Sequence, residues 1–358
     1  MKIGIVSIFD NNNHGNRLQN YALQQVLREY ADQVITIKNK PYFSKKSRLA
    51  RMLPLAESVF FNRVLGMKRR AKIVGFTRRH ITTSRGCYWY DKPEETVKPA
   101  DQCDLYCAGS DQIWNPIIGR RGAFDYLGFA PAEKTFSYAA SFGVDEIPQQ
   151  YHQAVADGLA HVRHISVRED SGLAIVEKLA GRADAQVLVD PTMLLSTEQW
   201  DQVAVKPQGL PERYVLTYFL GQISDERRAS VCAKAEELDC AIVDLMDKNS
   251  PFYEIGPDEF VYMIGHAQMI CTDSFHGSVF AFLYGRPLAI FNRQGQVHDI
   301  GGRLRTFVSK FSLEACVAQG DLVPDVSCEP DYSVGFQALE AERNKAKAFL
   351  GQVLCTAM

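Results

Sequence analysis

Ala267-Gln268-Met269-Ile270-Cys271-Thr272-Asp273-Ser274-Phe275-His276-Gly277 is the stretch on which the fold turns. The apolar run from Ala267 to Cys271 predicts a short buried strand over Met269-Ile270-Cys271, and Ser278 to Tyr284 predicts a helix. Asp273, Ser274 and His276 then fall at a strand-to-helix junction. In open α/β sheets such junctions open onto the ligand crevice. Backbone N–H groups at a helix start attract anions, and an imidazole titrates near neutral pH. The stretch therefore points to acid–base chemistry on an anionic substrate.

Working outward, the same alternation recurs on both sides. Pro257 to Ala267 predicts a helix ahead of this strand, and Leu288 to Phe291 the next strand. Tyr214 to Leu220, Glu226 to Leu238 and Ala241 to Leu245 read as strand, helix and strand. At the other end, Lys2 to Phe9 predicts a strand, Asp10 to Gly15 a polar turn, Asn16 to Tyr30 a helix and Val34 to Ile37 a strand. This order begins a Rossmann-like unit. It carries no Gly-x-Gly-x-x-Gly, so no dinucleotide cofactor is indicated. Further strands are predicted at 104–108, 134–141, 164–168 and 186–189, with a helix from Ser171 to Leu179. Val334 to Leu354 predicts a terminal helix.

Two Rossmann-like halves and a terminal helix make an α/β, GT-B-like architecture, with the domains facing a central cleft. The Pro-, Gly- and charge-rich segment from Lys206 to Arg213 marks the boundary. The expected division is 1–205, 206–332 and a C-terminal helix over 333–358.

Bulk properties narrow the function. The 358 residues suit two domains of roughly 150 residues each. A net charge of −2 excludes the basic excess of a dedicated nucleic-acid binder. No apolar run reaches the ~18 residues of a membrane span, and the start lacks a signal peptide's apolar stretch and cleavage site. The nine cysteines include no Cys-x-x-Cys, so no metal site is expected, and they read as reduced core thiols of a cytoplasmic protein.

One segment departs from the average. Residues 44–85 hold twelve basic residues against one acid, Glu57, with large apolar residues between them. One or two amphipathic helices are expected there. They are either a solvated helical hairpin or a contact for the inner face of a membrane or an anionic lipid carrier.

Several motifs stand in order along the chain. They are Gly15-Asn16 with Gln19-Asn20-Tyr21-Ala22-Leu23, Gly109-Ser110-Asp111-Gln112-Ile113-Trp114, Ser137 to Gly143, Ser166-Val167-Arg168-Glu169, Val189-Asp190-Pro191-Thr192, Gly256-Pro257 with Glu259-Phe260, and Thr272 to Gly277. In order and spacing, from Met1 to about Leu350, the series resembles the polysaccharide pyruvyl transferase family. That resemblance implies a GT-B-like fold and transfer of the enolpyruvyl unit of phosphoenolpyruvate to a sugar, as a pyruvate ketal. The donor is a co-substrate, and no cofactor is implied. The acceptor is a sugar or a lipid-linked oligosaccharide.

Such chemistry calls for guanidinium forks around a carboxylate and a phosphate, a general acid for the enol carbon and a base for the attacking hydroxyl. By the resemblance His276 is the general acid/base. Arg168 is assigned to the donor, or else to a salt bridge with Glu169 or Asp170. Many family members carry an arginine two residues before the histidine; here Ser274 stands at that donor-side position, and Arg303, in a Gly-Gly-Arg-Leu loop, is the candidate replacement charge or else a solvated loop arginine. Asp111 either orients or deprotonates an acceptor hydroxyl, or else makes an Asx turn or helix cap. Gly15 and Asn16 either hold the acceptor at the first helix N-terminus or form a capped turn. Trp114 either stacks on a sugar or fills the core. Asp190 reads as a structural turn residue. The competing readings are a glycosyltransferase using a nucleotide sugar and a non-catalytic glycan-binding protein.

Overall fold

The structure, a computed structural model, describes residues 1–9, 13–40, 57–89, 102–118, 122–293, 301–328 and 330–355. The chain divides into two compact units, Met1–Pro191 with Lys345–Met358, and Thr192–Asn344.

The first unit is built on β1 (Lys2–Val6), α1 (His14–Leu27), β2 (Gln33–Lys40), α2 (Glu57–His80), β3 (Thr83–Trp89), β4 (Leu105–Ala108) and β5 (Thr135–Ser137). The five strands are parallel, in the order β3-β2-β1-β4-β5. Ile3 lies opposite Val34 on one side and Leu105 on the other. Ile3, Ile5 and Val6 are wholly buried, because helices cover both faces of a parallel sheet. Beyond β5 come α3 (His152–His161), β6 (Ser166–Val167), α4 (Asp170–Ala180) and β7 (Gln186–Val187). Bridges from Phe136 to His164 and from Ala140 to Val167 carry the sheet on toward β6.

The second unit comprises α5 (Thr197–Asp201), β8 (Tyr214–Tyr218), α6 (Asp225–Glu237), β9 (Ala241–Asp244), α7 (Pro257–His266), β10 (Met269–Thr272), α8 (Phe275–Leu283), β11 (Leu288–Ile290) and α9 (Gly301–Phe311). Its parallel sheet has the order β11-β10-β8-β9. The terminal helix α10 (Ser333–Cys355) follows. Two Rossmann-like units in tandem with this helix give the α/β, GT-B-like class.

In each unit the first strand lies inside the sheet, and the chain reverses its winding beside it. The switch points are β1/β4 and β8/β10. Ligands in such sheets bind outside the carboxyl ends of the strands at these points.

Four expectations need correction. The unit boundary falls at Pro191/Thr192 instead of 205/206, because residues 192–205 pack with the second unit. Trp200 meets Phe280 edge-on at 4.9 Å, and the Val205 N–H donates to the Asp258 carbonyl. The basic segment is not wholly helical: α2 ends at His80, and Arg85 lies in β3. The part of that segment from 44 to 56 lies outside the described residues. The Gly301-Gly302-Arg303-Leu304 stretch is the first turn of α9, not a loop, because Leu304, Phe307, Val308 and Phe311 form a buried stripe. Core thiols hold for Cys103, Cys107, Cys271 and Cys316, whereas Cys328 and Cys355 are exposed.

Candidate active site

At the β1/β4 switch point, the chain leaves β4 through Gly109 and Ser110 into Asp111. Gly109 is packed closely, since a Cβ there would sit 3.2 Å from Ile5 and 3.3 Å from Leu23. Asp111 holds a φ of 70°, an uncommon conformation for a residue other than glycine. Its carbonyl accepts from the N–H groups of Ile113 and Ser141, which fixes the turn. Its buried carboxylate accepts from Asn16 Nδ2 at 3.0 Å and faces Arg168 Nη2 at 3.5 Å.

Arg168 follows β6, and its side chain is 1% exposed. Nη1 donates to Asp190 Oδ2 at 2.6 Å, and Nε lies 3.9 Å from Glu169 Oε2. Ser110 Oγ donates to the same Asp190 oxygen at 2.9 Å. Glu169 Oε1 accepts from Ser141 Oγ and from the N–H groups of Phe142 and Gly143. Burial opposes the charge on Arg168, but Asp190, Asp111 and Glu169 outweigh it and raise its pKa. This guanidinium is the hub of a buried ion network. Its Nη2 faces Asp111, and its shortest contact is to Asp190, read from sequence as a turn residue.

Asn13 caps α1 by accepting from the Asn16 N–H, so Gly15 and Asn16 lie inside the first turn, both buried. Asn16 serves this site through its side chain, by its bond to Asp111. Trp114 is a core residue. It is fully buried, donates from Nε1 to the Asp125 carbonyl at 3.0 Å and stacks on Tyr126 at 5.2 Å. Its ring offers no face to a sugar.

The second constellation lies at the β8/β10 switch point. Thr272 closes β10 by donating to the Tyr218 carbonyl at 2.6 Å, and it accepts from the Ser274 N–H. Asp273 reaches across to the end of β8. Its Oδ1 accepts from the Leu220 N–H at 2.7 Å, and its Oδ2 from the Gly221 N–H at 2.8 Å. Ser274 is the N-cap of α8, accepting from the Gly277 N–H. Glycine is required at 277, where a Cβ would lie 2.8 Å from Thr272 Oγ1. His276 is the second residue of α8, 6% exposed, with its ring edge-on to Phe275 at 5.3 Å. Helix α8 therefore begins three residues earlier than its apolar spacing suggested, and the histidine belongs to its first turn.

Arg293, which sequence reading passed over, closes this constellation. Its Nε faces Asp273 Oδ2 and its Nη2 faces the Asp273 carbonyl, both at 3.3 Å. Arg303 is half-buried in the first turn of α9. A cavity of about 690 Å³ adjoins the ends of β8 and β9, with Phe219, Ile242, Arg228 and Lys248 among its lining residues. Among the described residues, no group of three or more His, Cys, Asp or Glu side chains is arranged to hold a metal ion.

Fold and site together define an α/β protein with polar constellations at the switch points of two parallel sheets. The chain belongs to the polysaccharide pyruvyl transferase family, whose model matches residues 13–295. No curated protein matches the chain. Among solved structures, it is similar to UDP-GlcNAc 2-epimerase from Methanocaldococcus jannaschii in complex with UDP-GlcNAc and UDP, at 13% identity and a TM-score of 0.45, over 96% of this chain and 93% of that one. It is similar to UDP-GlcNAc 2-epimerase from Neisseria meningitidis bound to UDP-GlcNAc, at 10% identity and a TM-score of 0.45, over 99% and 94%. It is also similar to MurG of Acinetobacter baumannii, at 7% identity and a TM-score of 0.36, over 98% and 97%.

Proposed function

We propose that the protein uses phosphoenolpyruvate to build a pyruvate ketal on a sugar of a cell-surface polysaccharide or its lipid-linked precursor. The observation that carries this reading is the family match over residues 13–295, together with His276 at the carboxyl end of β10. His276 gives a proton to the methylene carbon of the enol, leaving a cationic centre at the neighbouring carbon. A sugar hydroxyl adds there and loses its proton to a general base. The carbon–oxygen bond to phosphate breaks, and phosphate leaves with the bonding pair. A second hydroxyl closes the ketal, and its proton goes to the departed phosphate. In the first unit, Arg168 orients Asp111. No resident cofactor enters this scheme.

A second reading, a glycosyltransferase using a nucleotide sugar, draws on the 690 Å³ cavity, whose lining includes Arg228 and Lys248 alongside Asp244 and Asp247. Thermal shift with phosphoenolpyruvate, UDP-sugars and CMP-sugars separates the two. Stabilisation by phosphoenolpyruvate alone supports the first reading, and stabilisation by a nucleotide sugar alone supports the second.

The working place we infer is the cytoplasm, with α2 toward the inner face of the membrane. Arg69, Ile73, Phe76 and Thr77 form the buried face of this helix, while Lys68, Arg70, Lys72, Arg78 and Arg79 are exposed. Met67 is 60% exposed beside them. No helix among the described residues is long and apolar enough to cross a membrane. Each basic residue near an anionic surface adds about 1 kcal/mol, weakened by salt. The protein should co-sediment with anionic vesicles at low ionic strength and release at high. Equal failure to bind neutral and anionic vesicles at low salt would make this face merely solvated.

A further inference from the structure

We propose that Arg293 is the anion-binding residue of the second unit, held by Asp273 so that its outer edge receives a phosphate or carboxylate of the substrate. The case begins with what Asp273 already has. Its carboxylate is 1% exposed and accepts two backbone N–H groups at 2.7 and 2.8 Å. These short bonds tie the β8 end to the β10 end, and they supply the donors that a buried carboxylate needs.

Arg293 is the more distant partner, at 3.3 Å from Oδ2 and 3.3 Å from the carbonyl. Two atoms of one residue thus fix the plane of the guanidinium. The arrangement uses Nε and Nη2. Among the described residues, Nη1 has no hydrogen-bond partner, and the side chain is 30% exposed. An arginine pre-oriented in this way loses little freedom when it takes a ligand, and its fork matches phosphate and carboxylate oxygens.

Its place in the fold adds to this. Arg293 follows β11, and its Nη2 bond ends on Asp273, the residue just before the Ser274 cap of α8. The positive end of the α8 dipole and the guanidinium therefore favour the same sign of ligand. Arg168 and Arg227 do not offer this. Arg168 is enclosed by carboxylates, and Arg227, 2% exposed, is paired with Asp321 and lies over the Phe291 ring. Ser274 has no charge, and its hydroxyl is engaged in capping.

This inference rests on the proposed function for the identity of the anion, phosphoenolpyruvate, but not for the existence of the site. The test is calorimetric titration of phosphoenolpyruvate and of inorganic phosphate into the full chain and into Arg293→Gln and Arg293→Lys. Melting curves serve as a check of folding. Loss of one charge-assisted contact should weaken binding about 10- to 100-fold in Arg293→Gln. Arg293→Lys should recover part of that, since it keeps the charge without the fork. Steady-state assays should show the change in KM for the donor more than in kcat. If the wild type binds phosphoenolpyruvate and Arg293→Gln binds it equally well, the Arg293 proposal falls while the donor assignment stands. If the wild type binds only inorganic phosphate and Arg293→Gln loses it, Arg293 stands and the donor assignment falls. If the wild type binds neither, both fall.

Discussion

The two switch points place an aspartate and an arginine together at the same kind of strand end, yet the pairs are built for different work. At β1/β4, Arg168 is 1% exposed and surrounded by Asp190, Asp111 and Glu169. At β8/β10, Arg293 is 30% exposed and leans on Asp273 alone among the described residues. In the first pair the arginine is consumed in fixing carboxylates. In the second the carboxylate fixes the arginine. The same residue types thus give an enclosed ion network in one unit and a partly exposed, pre-oriented guanidinium in the other, and burial decides which.

Stability provides the strongest way to break this comparison. Arg168→Ala leaves buried carboxylates without their cation and should cost roughly 3–5 kcal/mol. Arg293→Ala removes a partly exposed partner from a carboxylate that keeps two N–H donors, and should cost no more than about 1 kcal/mol. Urea unfolding of both variants checks the contrast. Equal losses would mean that the two arginines are structural equivalents.

Turnover sharpens it next. His276→Ala should lower the rate by about 10²–10⁴, the usual contribution of a general acid or base, with a smaller change in donor affinity. Asp111→Asn should lower kcat on the same scale while leaving donor binding in place. Near-wild-type turnover in either variant would assign that residue to the scaffold.

A smaller effect concerns pH. Burial, with Arg69 nearby, holds the His14 imidazole well below its ordinary range. The unfolded chain binds this proton as pH falls through about 6.5, and the folded chain does so only at much lower pH. Stability from neutral His14 is therefore present above about 6.5 and lost as pH falls toward the folded value, at on the order of 1 kcal/mol per pH unit. His14→Gln should flatten the acid limb of the stability profile. An unchanged limb would place its origin in other groups.

Much of this was legible in the chain, for local reasons. The apolar runs at β1 and β10 mark strands buried on both faces, whereas the Ser274 cap lies ahead of the apolar spacing, which placed the helix start at Ser278. Helix α9 was missed because Gly301 and Gly302 suggested a loop, although Leu304, Phe307, Val308 and Phe311 already carry a helical spacing. What the chain conceals is long-range pairing. Arg168 reaches past its neighbour Glu169 to Asp190, and Arg293 returns to Asp273, because parallel strands bring their carboxyl ends together. Trp114 was ambiguous for the same reason: its Asp125 and Tyr126 partners come from another turn of chain.

The central claim is that the chain makes a pyruvate ketal, and one assay addresses it directly. The protein is incubated with phosphoenolpyruvate and a panel of lipid-linked and p-nitrophenyl sugars, with phosphate and product mass followed together. The account predicts phosphate release matched one to one by sugars whose mass has risen by a pyruvyl ketal, and loss of both signals in His276→Ala. Consumption of a nucleotide sugar under parallel conditions, with phosphoenolpyruvate left intact across the panel, would contradict it.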